Sequence, residues 1–430
     1  MARLTARTPP LTGRVTLPGD KSVSHRALLI AALAAGTSQI TNLNDGGDVG
    51  ATATALRAFG ARITSSTSSL VEVEGCGGAR GMTEPDDVVD AGNSGTTLRC
   101  LVGLCAGIPG TTVLTGDASL RARPMLRVVV PLRQMGASID GRRYGDRAPL
   151  LVRGGDLSGI ELETDVASAQ VKTAVLLAGL AAGGTTSVTE PRPSRDHTER
   201  MLAAAGVTVE RSGTTAAIAG GQVPEARAWT VPGDLSAALF LVVGATLVPG
   251  SDLLIEDVGL NPTRAAALDV LRSMGADIEV EETTVADGEP RGRLRVRHSE
   301  LHGIEVDEER SAMLIDEVPA LAIAAARARG TTTFRGVGEL RVKESDRIVA
   351  LANGISGLGG SAVAVPDGLE VSSGALGGGR IDPAGDHRIA MAFAIAGLVA
   401  SGSVTVSGWS CVDTSFPGFL ETLAQAQKPR

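Results

Sequence analysis

"LLIAALAAGTSQITNL", residues 28–43, runs from an apolar, alanine-rich stretch through a glycine into a segment that alternates like a strand. The same progression returns as "CLVGLCAGIPGTTVLTG" (100–116), "AVLLAGLAAGGTTSVTE" (174–190), "LFLVVGATLVPGSDLLIED" (239–257), "LAIAAARARGTTTFRG" (321–336) and "AFAIAGLVASGSVTVSG" (392–408). Its glycines are Gly36, Gly110, Gly184, Gly250, Gly330 and Gly402, spaced more widely than the about 20–50 residues of solenoid repeats. A second helix signal closed by glycine follows in "LRAFGARI", "LRQMGASI", "LAAAGVTV" and "LRSMGADI", and more loosely in "ISGLGGSAV". Glycine after a periodic helix reads as its C-cap. With the strand ahead of each helix included, the pattern predicts an α/β fold of six βαβαββ units, each burying its apolar helix beneath strands.

The bulk properties fit a soluble globular protein. A chain of 430 residues, 43% hydrophobic, is long enough for two or three domains with large cores. Its longest apolar runs fall short of the roughly 18 residues a membrane span needs, and "MARLTARTPPLTG" carries no secretory signal pattern, so a cytoplasmic location is expected. A net charge of −8 with 2% aromatic residues argues against a nucleic-acid partner. Cys76, Cys100, Cys105 and Cys411 lack metal-type spacing and read as reduced thiols. Basic charge is almost wholly arginine. Outside the tail residue Lys428, the lysines are Lys21, Lys172 and Lys343, positions where a compact, titratable ammonium is needed rather than a guanidinium.

The starts of the apolar helices read "PGDKSVSHR", "AGNSGTTLR", "SAQVKTA", "PGDLSAA", "DEVPALA" and "GDHRIAMA". The first resembles a P-loop only superficially, because five residues separate Gly13 from Gly19 and Asp20 precedes Lys21. What remains is a helix N-terminus with free N–H groups beside Lys21, Ser22 and Arg26, suited to a small anion. The recurrence of Pro18-Gly19-Asp20 as Pro232-Gly233-Asp234 suggests that the chain repeats its plan halfway along. Helix starts from two three-unit domains facing a shared cleft would concentrate positive potential for a substrate carrying phosphates and carboxylates.

Together and in order, "PGDKSVSHR", "GNSGTTLR", "LRARP", "SAQVK", "SRDHTERML", "DEVPALA", "RVKESDR" and "GDHRIAMAF" resemble the 5-enolpyruvylshikimate-3-phosphate (EPSP) synthase family. "SAQVK", "RDHTE" and "TSFP" are similar to its class II bacterial forms. The resemblance implies a two-domain inside-out α/β barrel, its six βαβαββ repeats forming two pseudo-threefold domains. Residues 1–19 with 233–430 would carry the acid–base groups, and residues 20–232 most of the shikimate-phosphate site. It also implies transfer of the enolpyruvyl group of phosphoenolpyruvate to the 5-hydroxyl of shikimate 3-phosphate. No cofactor or metal is implied, the chain is expected to be a monomer, and glyphosate is the expected competitive inhibitor.

By motif, Lys21, Ser22, Arg26, Ser168, Gln170, Arg195, Asp316 and Lys343 would bind shikimate 3-phosphate. Lys21, Asn93, Gly95, Thr96, Arg123, Gln170, Arg347 and Arg388 would bind phosphoenolpyruvate. Asp316, Glu344, Lys21 and Lys343 would be catalytic, Asp316 acting on the 5-hydroxyl and the Lys343–Glu344 pair on the phosphoenolpyruvate side. The family's usual lysine near the C-terminus is missing, Thr414 standing before "SFPGF". His25, His197 and His387 lie in matched motifs without an assigned role. His298 and His302 have helical metal spacing, but "RLRVRHSELHG" alternates like a strand. Two other readings use parts of the same pattern: an enolpyruvyl transferase acting on UDP-N-acetylglucosamine, and a non-catalytic repeat scaffold. Lys21-Ser22 and "SLRARP" disfavour the first, Asp316 and Glu344 the second.

Overall fold

A computed structural model of the chain describes residues 1–4, 9–67 and 70–428. Residues 5–8, inside the N-terminal segment read for a signal, lie outside it. The chain divides into two compact units: residues 1–18, 233–284 and 290–430 form the first, residues 19–232 and 285–289 the second. Each has its own hydrophobic core.

Among the described residues the strands form six sheets, five of them four-stranded. The plan is plain in Val89–Asp90, which pairs parallel with Gly110–Thr115. That strand pairs antiparallel with Arg147–Gly154, itself antiparallel to Ser138–Gly141. The sheets centred on Thr185–Thr189 and Thr331–Arg335 repeat it. In four of the sheets an apolar helix bridges the parallel pair, and in the other two such a helix leads into the strand Thr37–Thr41 or Asp252–Gly259. The six such helices are Lys21–Leu33, Gly95–Ala106, Ala169–Ala181, Leu235–Leu247, Val318–Arg327 and His387–Val399. They are buried nearly all round, as helices without a polar face must be. Truncating a fully buried leucine such as Leu101 or Leu321 to alanine costs about 2–5 kcal/mol. Helix Gly95–Ala106 reaches its neighbour Ala169–Ala181 at Gly103, where a Cβ would stand 2.2 Å from the Ala174 carbonyl oxygen.

Four features depart from the simple repeat. First, the strand ahead of a helix does not always join that helix's sheet. Arg14–Thr16, which precedes helix Lys21–Leu33, pairs with Asp252–Gly259, and Ala228–Thr230, which precedes helix Leu235–Leu247, pairs with Thr37–Thr41. The chain changes unit directly after each, at 18/19 and 232/233, so each strand completes the unit it leaves. At the first changeover the Asp20 N–H donates to the Pro232 carbonyl (2.7 Å), and a Cβ on Gly19 would fall 1.8 Å from the Asn42 carbonyl oxygen. Second, the sixth sheet is three-stranded, with Ala2–Leu4 beside Val404–Val406.

Third, the repeat glycines Gly36, Gly110, Gly184, Gly250, Gly330 and Gly402 are not the C-caps of the apolar helices. The caps are Ala34, Gly107, Ala182, Val248, Ala328 and Ala400, and the repeat glycines follow between cap and strand or, at Gly110, open the strand. The second helices do end as expected: Gly60 has φ 96°, its N–H donates to the Arg57 carbonyl, and the Ala61 N–H reaches Leu56. The same pair of bonds closes the turns at Gly136, Gly206, Gly275 and Gly359, so the looser "ISGLGGSAV" copy is structurally equivalent. Fourth, residues 285–289, the tip of the hairpin made by Asp277–Ala286 and Glu289–Arg297, group with the second unit. His197 Nδ1 lies 2.8 Å from Glu289 Oε1, and Arg227 pairs with Asp287 at 2.6 Å.

Candidate active site

In the second unit three helix starts present the motif residues. Asp20 caps helix Lys21–Leu33 by accepting from the Val23 N–H, and Lys21 Nζ sits 3.0 Å from Asp48 Oδ2. Ser94 caps helix Gly95–Ala106 through the Thr97 N–H, and Ser168 caps helix Ala169–Ala181. A cap of this kind uses one of the four N–H groups that a helix start leaves without intrahelical partners.

Around the first start, Arg26 is buried and held in three directions. Its Nε donates to Thr198 Oγ1 (2.7 Å), one terminal nitrogen to Thr173 Oγ1 (2.8 Å) and the other to the Ser22 carbonyl (3.0 Å). Arg195 donates to Ser22 Oγ at 3.4 Å. Around the second start, Asn93 donates to Asp117 (2.7 Å) and accepts from Arg123 (3.1 Å). Gln170 ties the second and third starts together, donating to Thr96 Oγ1 (2.9 Å) and accepting from Arg99 (2.8 Å). A Cβ on Gly95 would meet the guanidinium tips of Arg123 and Arg99, each at 3.0 Å.

His25 lies behind these groups. Its Nδ1 is 2.7 Å from Thr52 Oγ1, which is 2.6 Å from Thr97 Oγ1. Burial, with the charges of Lys21 and Arg26 added, holds its pKa well below 6.5, so it is a neutral structural imidazole at pH 7.

The first unit gathers the remaining motif residues around Arg347. Its Nε donates to Asp386 Oδ2 (2.7 Å), and one terminal nitrogen to Glu344 Oε2 (2.6 Å) and Asp386 Oδ1 (3.3 Å). The other terminal nitrogen donates to Asp316 Oδ1 (3.2 Å). Four of the five guanidinium N–H groups are thus committed to carboxylates, leaving one outside these bonds among the described residues. Lys343 Nζ lies 3.5 Å from the same Asp316 oxygen, and Arg388 donates to the Asp316 carbonyl at 2.7 Å. Burial works against the Arg347 charge, and the three carboxylates, Asp386 foremost, overcome it and raise its pKa. Burial would likewise raise Asp386, but Arg347 holds it below the ordinary carboxylate range. Thr414 turns its hydroxyl to the Cys411 carbonyl (2.8 Å).

Among the described residues, no group of three or more His, Cys, Asp or Glu could hold a metal, and no helix is long and apolar enough to cross a membrane. His298 bonds the Thr246 carbonyl through Nδ1 at 2.9 Å.

Residues 6–423 match the family model for EPSP synthase (3-phosphoshikimate 1-carboxyvinyltransferase). The 3-phosphoshikimate 1-carboxyvinyltransferase of Synechococcus sp. (strain JA-3-3Ab) is 51% identical over 423 residues, 97% of this chain and 95% of the relative. The chain belongs to the EPSP synthase family. The structure of EPSP synthase from Acinetobacter baumannii superposes with a TM-score of 0.88 at 42% identity, covering 99% of this chain and 97% of that one. The enolpyruvyl transferase NikO from Streptomyces tendae shares the fold, with a TM-score of 0.76 at 19% identity over 99% of this chain and 96% of its own.

Within this EPSP synthase family member, each unit brings its own share of the motif residues together. Lys21, Ser22, Arg26, Asn93, Gly95, Thr96, Arg123, Ser168, Gln170 and Arg195 belong to the second unit, and Asp316, Lys343, Glu344, Arg347 and Arg388 to the first. Sequence reasoning left several partners unassigned: Asp48 on Lys21, Arg99 on Gln170, and Asp386 on Arg347. Arg99 and Asp386 stand inside the quoted motifs "GNSGTTLR" and "GDHRIAMAF", which is the signal that could have found them. Asp48 has no such signal.

Proposed function

We propose that this chain transfers the enolpyruvyl group of phosphoenolpyruvate to the 5-hydroxyl of shikimate 3-phosphate, releasing inorganic phosphate. In the addition step the hydroxyl loses its proton and bonds to C2 of phosphoenolpyruvate, while C3 gains a proton. In the elimination step C3 gives up a proton and the phosphate leaves C2 with the bonding pair. The reaction therefore needs one group that accepts a proton and one that shuttles a proton to and from carbon, with cations around the phosphates and carboxylates.

The observation that carries the reading is the setting of Asp316. Its carboxylate is only partly buried and faces Lys343 at 3.5 Å and Arg347 at 3.2 Å, while Glu344 occupies the same guanidinium. This supports Asp316 as the group acting on the 5-hydroxyl and Lys343 with Glu344 as the pair serving C3. Arg388 and the remaining N–H of Arg347 suit the anionic groups of phosphoenolpyruvate, together with Arg123, Lys21, Asn93, Gln170 and the backbone at Gly95 and Thr96. Ser22, Arg26, Ser168, Gln170 and Arg195, with Lys21, suit the shikimate ring and its phosphate.

The reading extends to a monomer working in the cytoplasm without cofactor, and to glyphosate competing with phosphoenolpyruvate. Calorimetric titration tests it. Shikimate 3-phosphate should bind with saturable heat and UDP-N-acetylglucosamine should give none; the reverse would assign the chain to the other enolpyruvyl transferase chemistry.

A further inference from the structure

Lys172 is the one interior lysine with no part in the proposed chemistry, yet it is among the most enclosed charges in the chain. Its ammonium lies 2.8 Å from Glu190 Oε2 and 2.8 Å from Glu199 Oε1, and all three side chains are at most 5% exposed. A buried cluster of this kind is weak evidence for stability, since its Coulomb attraction is set against heavy desolvation. What distinguishes it is where its other bonds go. Glu190 Oε1 accepts from the backbone N–H of Ser168 at 2.7 Å, and Glu190 Oε2 also accepts from the Ser194 hydroxyl at 2.7 Å. Both oxygens of one buried carboxylate thus fix the cap of helix Ala169–Ala181 and the loop that delivers Arg195.

The neighbouring layer extends the same scaffold. Thr173 follows Lys172 and Thr198 precedes Glu199; their hydroxyls are 2.6 Å apart and both accept from Arg26. Arg26 in turn holds the Ser22 carbonyl, and Arg195 reaches Ser22 Oγ. Four residues assigned to shikimate 3-phosphate, Ser22, Arg26, Ser168 and Arg195, are therefore referenced to one ammonium and its two carboxylates. A lysine fits here because a compact ammonium with three donors can sit between two carboxylates.

We propose that Lys172 and Glu190 are positioning residues for the phosphate-binding side of the site: Glu190 sets Ser168 and the Ser194–Arg195 loop, and Lys172 holds Glu190 in place. The inference rests on the functional reading above. It separates Glu190 from Glu199, which shares the ammonium but, among the described residues, makes no hydrogen bond to a residue assigned to substrate.

The test measures the dissociation constant of shikimate 3-phosphate by calorimetry for the wild type, Glu190→Gln and Glu199→Gln, well below each melting temperature, with KM for phosphoenolpyruvate alongside. Glu190→Gln should weaken shikimate 3-phosphate binding tenfold or more and leave the phosphoenolpyruvate KM within threefold. Glu199→Gln should lower the melting temperature while changing the dissociation constant less than threefold. Ser194→Ala removes one of Glu190's bonds without touching the ion cluster; it should weaken binding in the same direction by a smaller factor, and it decides the question if Glu190→Gln does not fold. Equal weakening in Glu190→Gln and Glu199→Gln, or unchanged binding in Glu190→Gln or Ser194→Ala, would overturn the proposal. Failure of the wild type to bind shikimate 3-phosphate would instead overturn the functional reading.

Discussion

Arg347 Nε lies 2.7 Å from Asp386 Oδ2, and both side chains are sealed from solvent while Arg347 also carries Glu344 and Asp316. Asp386 caps helix His387–Val399 through the Arg388 N–H, so a single ion pair links a helix start to the carboxylates of the proposed chemistry.

Removing one partner should therefore be costly to the fold. Asp386→Asn leaves a buried guanidinium short of its main counter-charge, and the expected loss is at the low end of about 3–5 kcal/mol because Glu344 and Asp316 remain. Urea denaturation at pH 7 measures it. The pH dependence has a definite sign. Because the folded-state pKa of Asp386 is depressed, its contribution is complete above the ordinary carboxyl range and is lost as pH falls below about 4. The variant should show a shallower loss of stability over that acid window than the wild type.

Asp316→Ala should cut turnover by about two orders of magnitude or more, as expected for losing general acid–base help. Its melting temperature should move little, since Asp386 and Glu344 still pair with Arg347 and Arg388 bonds the Asp316 backbone carbonyl rather than its side chain. Near-normal turnover in the folded variant would remove Asp316 from the mechanism.

Gly95→Ala places a methyl 3.0 Å from the tips of Arg123 and Arg99, flexible ends that can give way. The added group then acts on the pocket through Arg123 as well as through bulk. Glyphosate is longer than phosphoenolpyruvate, and overpacking of about 1–3 kcal/mol against it corresponds to roughly five- to over a hundredfold in the glyphosate inhibition constant. KM for phosphoenolpyruvate should rise by a smaller factor. If the two rise together, or neither changes, Gly95 does not line the inhibitor's part of the pocket.

Much of this architecture is legible in the sequence because each unit repeats a strong local signal. An apolar helix, a glycine and an alternating strand recur six times, and the glycines that close the second helices, Gly60, Gly136, Gly206, Gly275 and Gly359, have the same two bonds. The exchanged strands Arg14–Thr16 and Ala228–Thr230 are not legible, because three residues carry no period and their partners are remote in the chain. The motif residues could be named from resemblance, but their couplings could not. Nothing in "SAQVK" says that Lys172 meets Glu190 and Glu199, and nothing in "RVKESDR" says that Arg347 is nearly saturated by acids. Side-chain partners distant in sequence are fixed by packing, and no local pattern encodes them.

The cysteines offer an independent check on packing. Burial pushes the Cys100 thiol to about 11 and Cys105 to about 12, and both are enclosed. At pH 8 a thiol reagent should leave these two unmodified in the native protein, whereas all four cysteines should react after denaturation. Prompt native labelling of Cys100 or Cys105 would contradict the packing of helix Gly95–Ala106.

The most direct test of the functional claim is phosphate release from purified protein given phosphoenolpyruvate and shikimate 3-phosphate together. The account predicts release only when both are present, one phosphate for each shikimate 3-phosphate consumed, undiminished by a metal chelator. Release that ignores shikimate 3-phosphate, or that requires UDP-N-acetylglucosamine in its place, would contradict it.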